Sequence, residues 1–133
     1  MGRFYTGDIE GQFGFAVQNS TDGERFGATP VEPNIITYYA DDIQECEEGI
    51  KECLECLAIP TKYFKKVVNH FKDINSRNNF WDEIDWIEKL MDKKKSEEIN
   101  EKIKEYNLNS LELGLKIYHC IKKQGDCQYD AEL

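Results

Sequence analysis

No apolar run in this chain approaches the roughly 18 residues that cross a bilayer, and the opening Met1-Gly2-Arg3 lacks the charged-then-apolar layout of a secretion signal. Cytoplasmic residence without membrane contact is the expectation. A myristoylation reading of Met1-Gly2 would tear Thr6 out of an aromatic strand pattern. The phosphate-cradling and zinc-protease patterns GxxxxGK(S/T), GxGxxG and HExxH do not occur. There are only two histidines, His70 and His119, and neither has a serine or cysteine nucleophile motif nearby. No catalytic residue and no cofactor are therefore predicted. Basic residues are also scarce, 17 against 26 acidic for a net charge of −9. Such a charge repels nucleic acid and anionic membrane at long range, and attracts a basic protein surface, such as one that normally holds a phosphate backbone.

What is present suits one folded unit. The 133 residues are 40% hydrophobic and 12% aromatic, enough for a single α+β domain over residues 1–133 with its own core. Phe13, Phe15 and Val17 alternate with polar or small residues, the period of a half-buried strand, and Arg3 to Thr6 reads as its partner. Asn19 to Pro33 reads as a long loop. Residues 35–40, IITYYA, read as a further strand, and Cys127, Tyr129, Ala131 and Leu133 alternate in a C-terminal one.

Between these strands the spacing predicts four or five helices. Asp41 or Asp42 can cap the first, whose face is Ile43, Cys46, Ile50, Cys53, Leu54 and Leu57, with Pro60 as its stop. Thr61 would cap a second carrying Phe64, Val67, Val68 and Phe71, and residues 75–79 read as a polar break. Phe80, Ile84, Ile87, Leu90 and Met91 mark a third. Lys93-Lys94-Lys95 would separate it from a short helix at Ile99, Ile103 and Tyr106, and Asn109 or Ser110 would cap the last, which Gly125 terminates. Strands at both ends around a helical middle imply a small antiparallel sheet with the helices on one face.

Gly7-Asp8-Ile9-Glu10-Gly11 poses the sharpest question. Extended, it would bring Asp8 and Glu10 about 7 Å apart on one side, able to share a cation or divide acid and base roles. As a bend, its glycines supply the unusual backbone, the acids face water and Ile9 faces the core. The bend is the preferred reading. The stretch GRFYTGDIEGQFGFAVQ resembles the opening of a set of small proteins from phages, large viruses and bacteria, with a pattern close to GRFYxGDIEGxFxFxVQ, and Cys127 to Leu133 is similar to their ending. The resemblance carries over no catalytic residue. It implies a mobile or viral origin, where inhibitors of host defence are common, and hence host cytoplasm.

Five cysteines, Cys46, Cys53, Cys56, Cys120 and Cys127, include one CxxC, but the spacing of Cys120 and Cys127 does not supply a second zinc knuckle. Core packing of reduced thiols is expected, with no metal. Charge placement is the strongest remaining signal: Asp41, Glu45, Glu48, Glu52 and Glu55 stack in a stripe opposite the apolar face of the first helix. Carboxylates about 5–6 Å apart there approximate the spacing of phosphates along a strand. The reading that follows is a small acidic inhibitor or adaptor whose partner is a basic protein surface. The alternative is a small-molecule-binding protein or small enzyme with a pocket between the sheet and the 19–33 loop, using Arg3, Tyr5, Asp8 and Glu10.

Overall fold

The sheet starts at the stretch read as the partner strand, residues 4–7, and not along the alternating Phe13 to Val17 run. In the computed structural model, which describes residues 3–14, 17–31, 36–77 and 79–131, β1 (Phe4–Gly7) pairs with β2 (Gly11–Gln12), Tyr5 opposite Gly11. The Phe13 amide adds a bond to the Arg3 carbonyl. The expected continuation to Val17 gives way to a turn, in which the Val17 and Gln18 amides both donate to the Gly14 carbonyl. Phe15 and Ala16 lie outside the described residues.

The described part of the 19–33 stretch, residues 19–31, holds regular elements where a loop was expected, and Glu32 and Pro33 lie outside the described residues. A 3-10 turn (Asp22–Phe26) ends on Gly27 at φ 87°, and β3 (Thr29–Pro30) pairs with β4 (Thr37–Ala40). Pro30 fits because β3 is an edge strand. β5 (Cys127–Ala131) lies between β1 and β4, giving an antiparallel sheet in the order β2-β1-β5-β4-β3. Cys127, Tyr129 and Ala131 are buried while Gln128 and Asp130 are exposed, as the alternation requires. Ile35, Glu132 and Leu133, read as strand, lie outside the described residues.

Asp42, not Asp41, caps α1 (Ile43–Cys56), its Oδ1 accepting from the Gln44 and Glu45 amides at 3.0 and 3.2 Å. Of the predicted face Cys46, Ile50, Cys53, Leu54 and Leu57 are buried and Ile43 is half-buried, and Gly49 joins them. The helix ends before Pro60 because Ala58 turns to φ 60°. Thr61 begins a 3-10 turn (Thr61–Tyr63) without capping α2 (Phe64–His70). The expected polar break holds a short helix, α3 (Ile74–Arg77), anchored by fully buried Ile74. A turn at Trp81–Glu83 leads into α4 (Ile84–Glu88), and the lysine run itself forms α5 (Lys93–Glu97), capped by Asp92. Among the described residues no helix is long and apolar enough to cross a membrane.

The largest departure from the sequence reading is α6 (Glu101–Gln124), one helix of 24 residues in place of two. Asn100 caps it, accepting from the Lys102 amide at 2.8 Å. Asn109 and Ser110 do not cap, because their side chains are engaged inside the helix and across it. The Asn109 amide donates to the Glu105 carbonyl at 2.9 Å, and Ser110 Oγ accepts from Arg25 and Cys53. Every residue from Asn107 to Tyr118 is buried, so α6 is the spine on which α1 and the sheet pack. Gly125 closes it at φ 92°. Together these elements are the α+β architecture the element order implies.

Gly7 has φ 139°, and a methyl group there would lie 2.8 Å from the Gln128 carbonyl oxygen. Gly7→Ala is expected to destabilise by about 1 kcal/mol or more, and Asp42→Ala by about 1 kcal/mol through loss of the cap. Denaturant unfolding of the two variants beside the parent checks both.

Candidate functional site

The Gly7 to Gly11 segment is a bend, and its two acids part company. Asp8 continues the β1–β5 ladder where Gly7 leaves it. Its amide donates to the Gln128 carbonyl at 2.9 Å, and its Oδ2 accepts from the Gln128 amide and from Gln124 Nε2, each at 2.9 Å. Asp8 is exposed, as expected of both acids, but its carboxylate is also held by these two donors. Glu10 is exposed, and its main-chain oxygen accepts from Lys116 Nζ at 2.8 Å. Arg3 donates to the Gln18 carbonyl, with its guanidinium 5.8 Å from the centre of the Phe13 ring. Tyr5 is buried against Lys116. Tyr5 Oη and the Glu10 main-chain oxygen thus share Lys116, whereas Arg3 and Asp8 each have other partners, and the four side chains are not joined to one another by a hydrogen bond or ion pair. Between the sheet and the described part of the 19–33 stretch, Phe26 and Ala28 are fully buried and Gly23 lies against the Tyr129 hydroxyl.

Sequence reasoning missed a buried ionic cluster at this place. Lys116 is 1% exposed. Its ammonium donates to Glu112 Oε2 at 3.2 Å, to Tyr5 Oη at 3.1 Å and to the Glu10 carbonyl, while Trp81 Nε1 donates to Glu112 Oε1 at 3.1 Å. Burial, with the Glu112 charge beside it, pushes the Tyr5 phenol well above its ordinary pKa, so it stays protonated. Glu112 and Lys116, four apart and each following a residue of the Leu111/Leu115 stripe, were the available signal.

A second network fixes the 3-10 turn. Arg25 donates to Asn107 Oδ1 at 2.9 Å, Ser110 Oγ at 3.1 Å and Glu52 Oε1 at 3.0 Å. Tyr106 donates to Asp22 at 2.7 Å, and Gln18 to the other Asp22 oxygen at 2.9 Å. The CxxC divides across this network: Cys53 faces Ser110 from the buried side, while Cys56 is exposed with Arg25 Nη2 at 3.7 Å. Burial pushes the Cys53 thiol up to about 12. The motif also occupies the last turn of α1, where the helix dipole opposes a thiolate. No group of three or more His, Cys, Asp or Glu among the described residues is arranged to hold a metal ion.

The acidic stripe is on the outer face of α1. Asp41 precedes the helix, and Asp41, Glu45, Glu48, Glu52 and Glu55 are all exposed. Glu52 is held by Arg25, whereas among the described residues no cation pairs with Glu45, Glu48 or Glu55. Lys51, the one basic residue of α1, turns away toward Glu47 at 3.6 Å and the Phe64 ring.

Both histidines are held by their neighbours. His70 stacks on Trp86, ring centres 3.6 Å apart, and faces Glu83. His119 donates Nε2–H to the Val68 carbonyl at 2.9 Å, and burial, only partly offset by that bond, lowers its pKa below 6.5.

Lys116→Met is expected to cost about 3–5 kcal/mol, because it strands the buried Glu112 charge. Adding Glu112→Gln, which keeps an acceptor for Trp81, should recover part of that loss in denaturant unfolding. Because His119 is harder to protonate folded than unfolded, its contribution is complete above pH 6.5 and declines as pH falls toward the lowered folded value. The parent should therefore lose more stability than His119→Gln between about pH 7 and pH 5, read from thermal melts. No protein-family model, curated protein or solved structure matches this chain.

Proposed function

We propose that this protein works by binding, as a small acidic inhibitor or adaptor that engages a basic protein surface, such as a nucleic-acid-binding groove, through Asp41, Glu45, Glu48, Glu52 and Glu55. The observation that carries this reading is the exposure of Glu45, Glu48 and Glu55 without a cationic partner among the described residues. Rigidity supports it. Cys46, Ile50, Cys53 and Leu54 are fully buried beneath the stripe, so little ordering of backbone opposes association. Long-range charge supports it too, since a net charge of −9 speeds encounter with a cationic surface and opposes direct contact with nucleic acid. The resemblance of the opening residues to phage and viral proteins adds the context of counter-defence in a host cytoplasm.

The test spares Glu52, because that residue orients Arg25. Glu48→Lys with Glu55→Lys should change stability by no more than about 0.5 kcal/mol, since exposed charges contribute little. Capture of basic proteins from host lysate should fall at least about tenfold, and capture by the parent should weaken with added salt. Equal capture by parent and double variant, quantified by mass spectrometry, would remove the stripe as the interface.

A further inference from the structure

Between β2 and the first half of α6 lies a cavity of about 360 Å³, walled by residues 11–14 and by Trp81, Glu105, Asn109 and Glu112. It is separate from the acidic stripe. Glu105, Asn109 and Glu112 share the side of α6 opposite Gly114, and Gly114 faces Cys46 of α1. Gly14 lets the chain close over Asn109, for a methyl group there would lie 2.7 Å from Asn109 Cγ.

The chemistry of the wall is one-sided. Asn109 is 8% exposed, and its nitrogen donates to the Glu105 carbonyl. Its Oδ1 has no hydrogen-bond partner among the described residues, and it is not sealed in the core but borders the cavity. Glu112, 5% exposed, fixes the Trp81 indole through Nε1, which leaves the ring 46% exposed against the opening. Glu105 is exposed with no ion pair among the described residues. Glu105, Glu112 and Asn109 Oδ1 bring acceptors to the wall, the N–H groups there belong to the neutral Gln12, Asn109 and Trp81 side chains, with Trp81 Nε1 already given to Glu112, and no cationic side chain lines the cavity. Lys116 stands behind Glu112, committed to Glu112, Tyr5 and the Glu10 carbonyl.

An acceptor left unpaired in a largely buried side chain favours a ligand that brings a donor. An indole face beside a carboxylate favours one that brings positive charge. We propose that this cavity binds the ammonium or guanidinium head of an organic cation, lying against Trp81 and donating to Asn109 Oδ1 and the Glu105 carboxylate. The head belongs either to a free small amine or to a basic side chain of a protein.

Titration of the full chain with agmatine, followed by amide NMR and tryptophan fluorescence, tests this. Saturable shifts confined to residues 11–14, Trp81 and residues 105–112 are expected, with a dissociation constant on the order of 1 mM or tighter. Glu105→Gln, an exposed change that preserves folding, and Asn109→Leu should each weaken binding about tenfold, whereas Glu48→Gln with Glu55→Gln should leave it unchanged. A capped Gly-Arg-Gly peptide binding more tightly than agmatine would identify a protein side chain as the source, and the reverse order a free amine. Absence of saturation, shifts spread along α1, or equal binding of uncharged N-butylurea would overturn the proposal. None of these outcomes depends on whether the stripe on α1 binds a partner.

Discussion

A lysine with 1% of its surface exposed occupies the middle of α6, and its charge has to be met where it lies. Glu112 supplies the counter-charge one turn earlier, Tyr5 a phenol oxygen and Glu10 a main-chain carbonyl. These partners come from α6, from β1 and from the bend after it, so satisfying one ammonium fixes the N-terminal hairpin on the central helix. The arrangement leaves no room at Gly11, where a methyl group would overlap the Tyr5 hydroxyl and approach Lys116 Nζ to 2.6 Å. A buried ion pair of this kind specifies position more than it adds stability, because much of the Coulomb attraction offsets desolvation.

Arg25 does on another side of α6 what Lys116 does within it. Its guanidinium fork binds Asn107, Ser110 and Glu52 at once, joining the 3-10 turn to α6 and to α1. Asp22, held by Tyr106 and Gln18, continues the same attachment toward the turn at Gly14. A stretch rich in glycine and polar residues is thereby tied down through side-chain bonds, with Phe26 as its apolar anchor. Glu52 is drawn into this scaffold, and Glu45, Glu48 and Glu55 are left as the outward-facing charge of α1.

The thiols follow from the same packing. Cys46 donates to the Gly114 carbonyl at 3.5 Å and Cys53 faces Ser110, so both act as small core residues between α1 and α6. Burial also pushes the Cys46, Cys120 and Cys127 thiols up, which favours the protonated form throughout the core.

Periodicity and local residue preference determined β5, most of the buried face and the capping region of α1, the Gly125 stop and the α+β arrangement, because burial on one side imposes a repeat of two or about 3.6 on any chain, whereas the alternation at Phe13 to Val17 did not make a strand of residues 13–14 or 17. The acidic stripe was equally legible, being the complement of the apolar face. Only the tertiary structure decided that Asn109 and Ser110 lie inside one helix. Their local preference is for a cap, and it is overruled by partners such as Arg25 that are 85 residues away from Ser110 in sequence. The same holds for β3 and for α3, whose pairing strand and core are supplied from elsewhere. It holds as well for the hydrogen bonds that Gln124 and Gln128 give the exposed Asp8 carboxylate. The Lys116 cluster and the cavity at Trp81 were least visible of all, since both form where β1, β2 and α6 converge, and a linear pattern carries the periodicity of each element but not the point at which they meet.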